Sequence, residues 1–321
     1  MSVVEFAVAS DTGRKRRRNE DNYVVTPPLF AVADGMGGAQ AGEVASKLAA
    51  SALEHDDRAL EGSERVVALV EEANRRVYER AASDPAASGM GTTMTVALVE
   101  GMTVVFGHVG DSRAYLVRGE AMEQLTEDHS LVNELLKSGK LSPSEALGHP
   151  QRSVITRAVG TDPHVEVDSF RVEAQDGDVF LLCSDGLTDM VDDLAILDVV
   201  EKHRADLDRV VKSLVAAANR RGGDDNITAI AFRVTAPTGD ETIRMPAAEP
   251  EEDTLERAAP EPAVDTMVIP PERIPDELLE AGAATQPRPA HETAAARLRL
   301  ALTMAGLLLV AIVLLVWGLL H

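Results

Sequence analysis

The sequence predicts an α+β domain with antiparallel β-sheets at its centre and helices packed on the outside. Two observations lead to this fold class. Strand-like segments follow one another through tight turns at Gly101 and Gly119 with no helix between them, which favours antiparallel pairing over βαβ units. Long helical patterns separate the groups of strands, and such helices are expected to cover the sheets.

Eight segments carry the apolar pattern of strands. They are Val3–Ser10, Leu29–Ala33, Thr92–Glu100, Thr103–Val109, Ala114–Val117, Val165–Val172, Val179–Ser184 and Ile227–Val234. The stretch from Thr95 to Thr126 is typical of a β-meander. Four segments carry the apolar spacing of helices: Ala41–Leu53, Ser63–Ala82, Ala195–Lys202 and Asp206–Asn219.

Composition divides the chain into three parts. Residues 1–235 contain all the predicted elements and are expected to form the folded domain. Residues 236–296 hold ten of the sixteen prolines, beginning at Pro237 and ending at Pro289, and are acidic and rich in alanine. Such a segment buries too little apolar surface to order itself, so a disordered linker is predicted.

Residues 297–321 are predicted to be a membrane anchor. Leu300–Leu320 contains no charged residue and no proline, and about 20 apolar residues at 1.5 Å rise per residue cross the apolar core of a bilayer. Arg297 and Arg299 lie on its N-terminal side, and flanking positive charge stays in the cytoplasm. We therefore expect a single-pass protein of the cell membrane whose folded domain is cytoplasmic.

The overall charge excludes some partners. A formal net charge of −22 argues against nucleic acid, whose phosphates would be repelled. The basic block Arg14–Arg18 is therefore interpreted as a local anion site. Cys183 is the single cysteine, so no disulfide can form within the chain and a thiolate zinc site is not expected.

Acidic residues recur at the ends of the predicted strands. Asp34, Asp111 and Asp185 each follow an apolar run, and Asp225 precedes the last strand. Any one Asp-Gly pair could simply form a turn, but carboxylates that converge repel one another, and a hard divalent cation is the usual way to stabilise them. Oxygen ligands indicate Mg²⁺ or Mn²⁺ rather than zinc.

The glycine-rich stretch after Asp34 is not typical of a nucleotide-binding loop. A Walker phosphate loop ends in Gly-Lys-Ser/Thr, whereas Gly42 is followed here by Glu43 and Val44. A glutamate at that position would oppose the phosphate charge. The spacing of a dinucleotide-binding fingerprint is also absent.

Eight motifs together resemble the metal-dependent protein serine/threonine phosphatases, the PPM or type-2C family. In order they are SDTGRKRRRNEDNY, FAVADGMGG, GMGTTMTVAL, GHVGDSRAYL, LTEDHS, HPQRSVITRAVG, LLCSDGLTD and GGDDNIT. The likeness covers about residues 4–234. It implies a four-layer αββα sandwich of two antiparallel sheets flanked by helices, with a metal centre in a cleft at one end.

The resemblance also implies the site residues. Two Mn²⁺ or Mg²⁺ ions would be held by Asp21, Asp34, the Gly35 carbonyl, Asp185 and Asp225, with Asp34 bridging both ions. Glu20 would support these ligands from behind. Asp111 and Asp189 match a third, weaker metal position. Arg16 matches the arginine that grips substrate phosphate, a role that suits its bidentate guanidinium group.

The implied reaction is hydrolysis of phosphoserine and phosphothreonine by a water activated between two metals. One position departs from the pattern: some members carry histidine directly after this Asp-Gly, as a proposed acid for the leaving oxygen, and here that residue is Met36. A metal-bound water could supply the proton instead. His108, His129 and His149 are other candidates.

Two further segments are interpreted by pattern. Thr126–Gly160 resembles the family's mobile flap, which contributes to substrate choice. In the linker, Thr242, Thr254 and Thr266 each lie between an acidic and an aliphatic residue, and we hypothesise that a partner kinase phosphorylates them.

The leading interpretation is a membrane-tethered phosphatase that acts on phosphoproteins and opposes membrane serine/threonine kinases. The alternative is a catalytically weak phosphoprotein-binding or scaffold module at the membrane. Loss of a core carboxylate would mark that alternative, and none is missing from the motifs.

Overall fold

The computed structural model describes residues 3–37, 41–54, 60–146, 148–236 and 267–268. Thirteen strands lie in these ranges. They are β1 (Val3–Asp11), β2 (Asp21–Thr26), β3 (Leu29–Met36), β4 (Gly91–Thr92), β5 (Met94–Glu100), β6 (Thr103–Val109), β7 (Arg113–Arg118), β8 (Ala121–Gln124), β9 (Val154–Ile155), β10 (Asp168–Glu173), β11 (Asp178–Cys183), β12 (Ile227–Thr235) and β13 (Met267–Val268).

Seven α-helices and one short 3-10 helix, Pro85–Ala87, accompany the described strands. The α-helices are α1 (Ala41–Leu53), α2 (Gly62–Ser83), α3 (Leu131–Lys137), α4 (Pro143–Ala146), α5 (Asp185–Thr188), α6 (Asp193–His203) and α7 (Leu207–Arg220). Several begin at a side-chain cap: Asp192 accepts from the Ala195 amide and Asp206 from the Arg209 amide, which satisfies an otherwise unpaired donor of the first turn.

Two antiparallel sheets contain most of the strands. The first has the order β1-β12-β11-β7-β8 and the second the order β10-β6-β5-β3-β2. The side chains of each inner strand alternate between two apolar layers, as a two-residue period requires. Phe30 faces the opposite sheet, for example, while its neighbour Ala31 packs under helices α1 and α2.

Three apolar clusters separate four layers. One lies between the second sheet and α1–α2, one between the first sheet and α6–α7, and one between the two sheets. The central cluster contains the stacked rings of Phe30 and Phe232, with centroids 4.5 Å apart, and of Phe180 and Phe232, 5.2 Å apart. The predicted sandwich of two antiparallel sheets flanked by helices is therefore confirmed.

Phe232 is expected to be a large contributor to stability. It is fully buried between the two sheets, and truncation of a buried phenylalanine costs about 3–5 kcal/mol because a cavity remains. Phe232→Ala should lower the free energy of unfolding by that amount in denaturant titrations. Tyr23→Ala, on an edge strand with 44 % of Tyr23 exposed, should change it little, and an equal loss in both variants would contradict this packing account.

Some elements differ from those predicted. Strand β2 and the short helices α3, α4 and α5 were not predicted, and the tenth strand begins at Asp168 rather than Val165. Strand β2 was missed because its residues have no two-residue alternation: buried positions Asp21 and Val24 are three apart. Most residues of the predicted linker lie outside the described ranges, but Met267–Val268 form a strand there.

The predicted linker and membrane span lie mostly outside the residues that the structure describes. The chain divides into one unit that ends at Ile274 and another from Pro275 to His321. In the described part of the chain, no helix has the length and apolar character needed to cross a membrane. The predicted span Leu300–Leu320 and the threonines Thr242, Thr254 and Thr266 lie outside the described residues, so these remain predictions.

Candidate metal centre

Asp21 and Asp34 face each other at the ends of neighbouring strands. Asp21 begins β2, Asp34 lies near the end of β3, and the two are direct partners in the antiparallel register. The backbone of Asp34 is held from the other side: its amide donates to Thr93 Oγ1 at 2.9 Å, and its carbonyl accepts from Thr92 Oγ1 at 2.7 Å. Sheet pairing thus brings together two carboxylates that are thirteen residues apart.

One oxygen of Asp21 joins the two sheets. Asp21 Oδ2 accepts hydrogen bonds from Ser184 Oγ at 2.8 Å and Thr228 Oγ1 at 2.6 Å. Thr228 lies in β12 of the opposite sheet, and Ser184 directly follows β11 of that sheet. Sequence reasoning did not single out these two residues, although each lies within a motif that contains a predicted ligand. They fix the orientation of Asp21, and its second oxygen remains available.

Asp185 and Asp225 approach from the first sheet. Asp185 follows β11 and begins helix α5, while Asp225 precedes β12, the antiparallel neighbour of β11. The carboxyl group of Asp34 lies within electrostatic reach of those of Asp21 and Asp185, whose charges both act on it. Asp34 therefore lies between a carboxylate from its own sheet and one from the opposite sheet.

Burial and mutual repulsion raise the pKa of these carboxyl groups. Burial raises the pKa of Asp21 to about 6, against the opposing effect of its two hydroxyl donors. The pKa of Asp34 is raised well above its ordinary value by burial and then by the charges of Asp21 and Asp185. Burial and the charge of Asp111 raise the pKa of Asp185 as well. Near neutral pH, this arrangement favours a bound positive charge.

Several of these carboxylate oxygens have no hydrogen-bond donor. Asp21 Oδ1, Asp111 Oδ1 and Asp185 Oδ1 are buried without one, and a buried oxygen in that condition is costly unless a proton or cation offsets its charge. Hard oxygen ligands fit Mn²⁺ or Mg²⁺. No three His, Cys, Asp or Glu side chains of the described residues already form a metal-binding group, so ligation requires the carboxylates to adjust around the cation.

Asp111 and Asp189 lie beside this cluster. Burial, followed by the charges of Asp128 and Asp189, raises the pKa of Asp111 to about 7. Asp189 caps the C-terminal end of helix α5 and pairs with Arg152 of the flap, Nη2 to Oδ2 at 3.3 Å. Asp111 and Asp189, the two residues predicted for the third metal position, therefore both lie near Asp185. Sequence reasoning did not select Arg152, the partner of Asp189.

A cavity of about 1010 Å³ adjoins the carboxylates. It lies between the flap and helices α5 and α6. Its lining includes Asp111, Asp185 and Asp189 from the cluster and Arg152 and Ser153 from the flap. This space is large enough for part of a polypeptide beside the cluster.

Arg16 lies at the edge of the cluster. Its Nη2 donates to Asp225 Oδ2 at 2.8 Å, and about a fifth of its side chain is exposed. The charges of Asp34 and Glu20 also act on it. A phosphate dianion would therefore find a guanidinium group beside the carboxylates, but Arg16 would have to exchange part of its contact with Asp225.

Glu20 and Gly35 are held against the start of helix α1. The Glu20 carbonyl accepts from the Gly35 amide at 3.1 Å. A Cβ atom at Gly42 would lie 2.3 Å from Glu20 Oε2 and 2.7 Å from the Gly35 carbonyl oxygen. Because glycine has no Cβ atom, the Glu20 carboxylate and the Gly35 carbonyl can both lie against the helix at position 42. The roles of Glu20 and of the Gly35 carbonyl stay predictions.

Met36 is a packing residue. It is 5 % exposed and forms a small apolar cluster with Ile155 and Ala158 of the flap. Its thioether has no proton to donate. The residue after Asp34-Gly35 therefore ties the metal-centre loop to the flap, and it cannot protonate a leaving group.

The three candidate histidines have structural hydrogen bonds. His108 Nε2 lies 2.9 Å from the Glu127 carbonyl, and Nδ1 lies 3.0 Å from the Thr95 hydroxyl. His129 accepts from the Gly110 amide at 3.0 Å, and His149 from the Gln151 amide at 3.2 Å. Within the described ranges, none has a hydrogen bond with a predicted metal ligand, so the geometry favours none of them as general acid.

His108 is expected to make the protein sensitive to acid. Burial, together with the positive charge of His129, lowers the pKa of His108 from 6.5 to about 4. When folding lowers the pKa of a group, the group stabilises the folded state at any pH above its pKa in the unfolded chain, here 6.5. This stability is lost as the pH falls from 6.5 towards 4. The contribution is roughly 3 kcal/mol at 1.36 kcal/mol per pKa unit.

Denaturant titrations between pH 7 and pH 4 measure this contribution. The free energy of unfolding of His108→Gln should fall less steeply with acidification than that of the wild type. His164 is exposed, and His164→Gln should keep the wild-type pH dependence. A His108→Gln curve parallel to the wild-type curve would show that His108 is not the acid-sensitive group.

Comparison with known sequences relates the chain to one family. The family model for protein phosphatase 2C matches residues 15–229. The serine/threonine phosphatase stp of Listeria innocua is 41 % identical over 233 residues, which cover 69 % of this chain and 92 % of that protein. The serine/threonine protein phosphatase PstP of Mycobacterium tuberculosis is 41 % identical over 234 residues, or 71 % of this chain and 44 % of that protein.

Solved structures agree with the sequence comparison. The crystal structure of the Mycobacterium tuberculosis phosphatase PstP/Ppp has a TM-score of 0.69 and 38 % identity, and it covers 73 % of this chain and 99 % of its own. A crystal structure of the PstP catalytic domain in complex with two manganese ions has a TM-score of 0.67 and 37 % identity, with 73 % and 100 % coverage.

Proposed function

This chain belongs to the protein phosphatase 2C family, and we propose that it dephosphorylates phosphoproteins at the cell membrane in opposition to serine/threonine kinases. It is a protein serine/threonine phosphatase, and its cofactor is manganese or magnesium. The proposal concerns three further points, namely the membrane location, the kinase partners and the individual metal ligands.

The observation that carries the site assignment is the cluster of buried carboxylates. Asp34 lies between Asp21 and Asp185, and all three have a raised pKa. We assign two cations to this cluster: Asp21, Asp34, Asp185 and Asp225 would hold them, with Asp34 shared between the two and Asp225 at the exposed side. When bound, the two cations supply charge that activates a water molecule near neutral pH and offsets negative charge on the phosphoryl oxygens.

The remaining residues bind and orient the phosphoester. Arg16 can contact two phosphoryl oxygens at once, and its partner Asp225 holds it near the cluster until phosphate arrives. Ser184 and Thr228 keep Asp21 from rotating, because both hydroxyls bind the same oxygen. The cavity beside Asp185 and Asp189 gives the flanking residues of a substrate protein a place to lie.

The membrane proposal rests on sequence alone. The uncharged stretch Leu300–Leu320 is long enough to span a bilayer, and confinement to one surface would raise the effective concentration of membrane kinases and their substrates. Cell fractionation tests this: the full chain should stay in membranes washed with alkaline carbonate, and a chain ending before Arg297 should be released. Release of the full chain would overturn the anchor.

The function is tested by hydrolysis of a phosphothreonine peptide by the full chain. Phosphate release should require Mn²⁺ or Mg²⁺ and should stop with a chelator. A phosphotyrosine peptide of the same sequence serves as the substrate control and should be hydrolysed much more slowly. Equal hydrolysis with chelator present, or a preference for phosphotyrosine, would contradict the proposal.

A further inference from the structure

The flap contains a short strand whose edge is occupied by the chain's own linker. Strand β9, Val154–Ile155, pairs in parallel with strand β13, with Met267 opposite Val154 and Val268 opposite Ile155. This pair forms a two-stranded sheet separate from the two main sheets. We propose that the β9 edge is a docking site for an extended polypeptide, that its resident occupant is the linker segment around Met267–Val268, and that this segment competes with substrate protein.

The edge has the properties of a strand-addition site. Unpaired backbone groups of an edge strand are a template for an added strand, where main-chain hydrogen bonds supply affinity. On its other side, β9 is fixed by a bridge from Ile155 to Ser130. Val154 and Ile155 are both buried, so the edge is firmly placed.

The edge lies next to the catalytic cluster through two contacts. Ile155 packs on Met36, two residues after Asp34. The residues immediately before Val154, Arg152 and Ser153, line the cavity that also contains Asp185. A segment held on β9 therefore lies where residues flanking a phosphorylated side chain would have to pass.

The sequence of the linker is suited to this register. Asp265 stands two residues before Met267 in the sequence, as Arg152 stands two residues before Val154, and opposite charges at these two positions would favour an extension of the register. About 30 residues separate Ala236 from Met267, and a flexible chain of that length spans roughly 30 Å. Because linkage gives an effective concentration in the millimolar range, even a two-residue pairing can be populated.

Disulfide trapping in the full chain tests the docking. Strands in a sheet lie about 4.8 Å apart, within the Cα separation that a disulfide accepts. The double variant Val154→Cys/Met267→Cys should therefore cross-link within the chain under mild oxidation, whereas the natural Cys183 is buried. The matched control is Val154→Cys/Leu255→Cys, whose linker cysteine is nearer to the domain in sequence.

The two pairs distinguish docking from random collisions. If the linker did not dock and met β9 only by random collision, the shorter loop to position 255 would close at least as fast as the longer loop to position 267. The Leu255 variant would then cross-link as readily as the Met267 variant. Docking predicts the reverse order, with the Met267 pair forming about tenfold faster because of its higher local concentration. Equal rates, or faster cross-linking at Leu255, would overturn the docking site.

Kinetics test the competition, and this readout rests on the proposed function. Proline removes a backbone donor and disfavours strand pairing, so Met267→Pro should lower KM for a phosphothreonine peptide several-fold and leave kcat unchanged. Leu255→Pro should alter neither. Hydrolysis of para-nitrophenyl phosphate, which has no flanking peptide, should be the same in all three proteins.

The outcomes separate the two ideas. An unchanged peptide KM in Met267→Pro, with normal hydrolysis of para-nitrophenyl phosphate, would overturn the competition while leaving the phosphatase assignment intact. Failure of the wild type to hydrolyse either compound with Mn²⁺ would overturn the proposed function. The cross-linking result would still decide whether the linker docks on β9.

Discussion

Replacement of Asp34 with asparagine is expected to reduce phosphatase activity by at least about 10³-fold, since Asp34 is the carboxylate assigned to both cations. The substitution keeps the shape of the side chain and replaces a buried carboxyl group whose charged form is disfavoured by burial and by the neighbouring carboxylates. The metal-free variant should therefore be at least as stable as the metal-free wild type. Phosphate release and denaturant titrations, measured on the same preparations, separate loss of function from loss of fold.

Asp178→Asn is the matched control for this substitution. Asp178 is also a buried aspartate of β11, but it lies at the strand's other end and pairs with Arg118 at 2.6 Å. Loss of that ion pair should lower stability while the folded protein keeps its activity. If Asp34→Asn kept full activity, or if both variants lost activity equally, the special role of Asp34 would be refuted.

Manganese binding is expected to weaken steeply as the pH falls from 8 to 6. The pKa of Asp21 is raised to about 6 and that of Asp111 to about 7. The pKa values of Asp34 and Asp185 are raised as well. The metal-free site therefore retains protons near neutral pH, and a cation must displace them. Each displaced proton lowers the affinity by about tenfold per pH unit on acidification.

Calorimetric titration with Mn²⁺ in two buffers of different ionisation enthalpy measures the protons released. The wild type should release more than one proton at pH 6 and fewer at pH 8. Asp34→Asn should release fewer than the wild type at pH 6, because one of the coupled carboxyl groups is gone. An affinity that does not change between pH 6 and pH 8 would contradict the raised pKa values.

The sheet architecture was predictable because its signals are local. The runs Leu29–Ala33 and Val179–Ser184 are apolar and end at Asp-Gly, and the turns at Gly101 and Gly119 require direct strand-to-strand connections. The edge strand Asp21–Thr26 was missed because it has little apolar alternation. Its pairing depends on β3, which supplies the partner register.

The candidate site was predictable in its carboxylates and not in what surrounds them. Motif positions pointed to Asp21, Asp34 and Asp185, and the fold brings these three together. The hydroxyl donors Ser184 and Thr228 carry no sequence signal of their own, because they act only once the two sheets face each other.

The long-range flap contacts were also not predictable from the sequence. Arg152 is 37 residues away from its partner Asp189, and Met36 lies more than a hundred residues from Ile155. Neither pair has a spacing that a local pattern could reveal. The strand at Met267–Val268 is a similar case, because composition alone indicated disorder throughout that segment.

The central claim is that Asp34 joins two cations held by carboxylates from both sheets. Crystals of the full domain grown with Mn²⁺, with anomalous scattering collected at the manganese edge, test it most directly. Two peaks are expected in the cluster, one beside Asp21 and one beside Asp185, with Asp34 contacting both. Manganese peaks that lie elsewhere, or that leave Asp34 without a metal contact, would contradict the account.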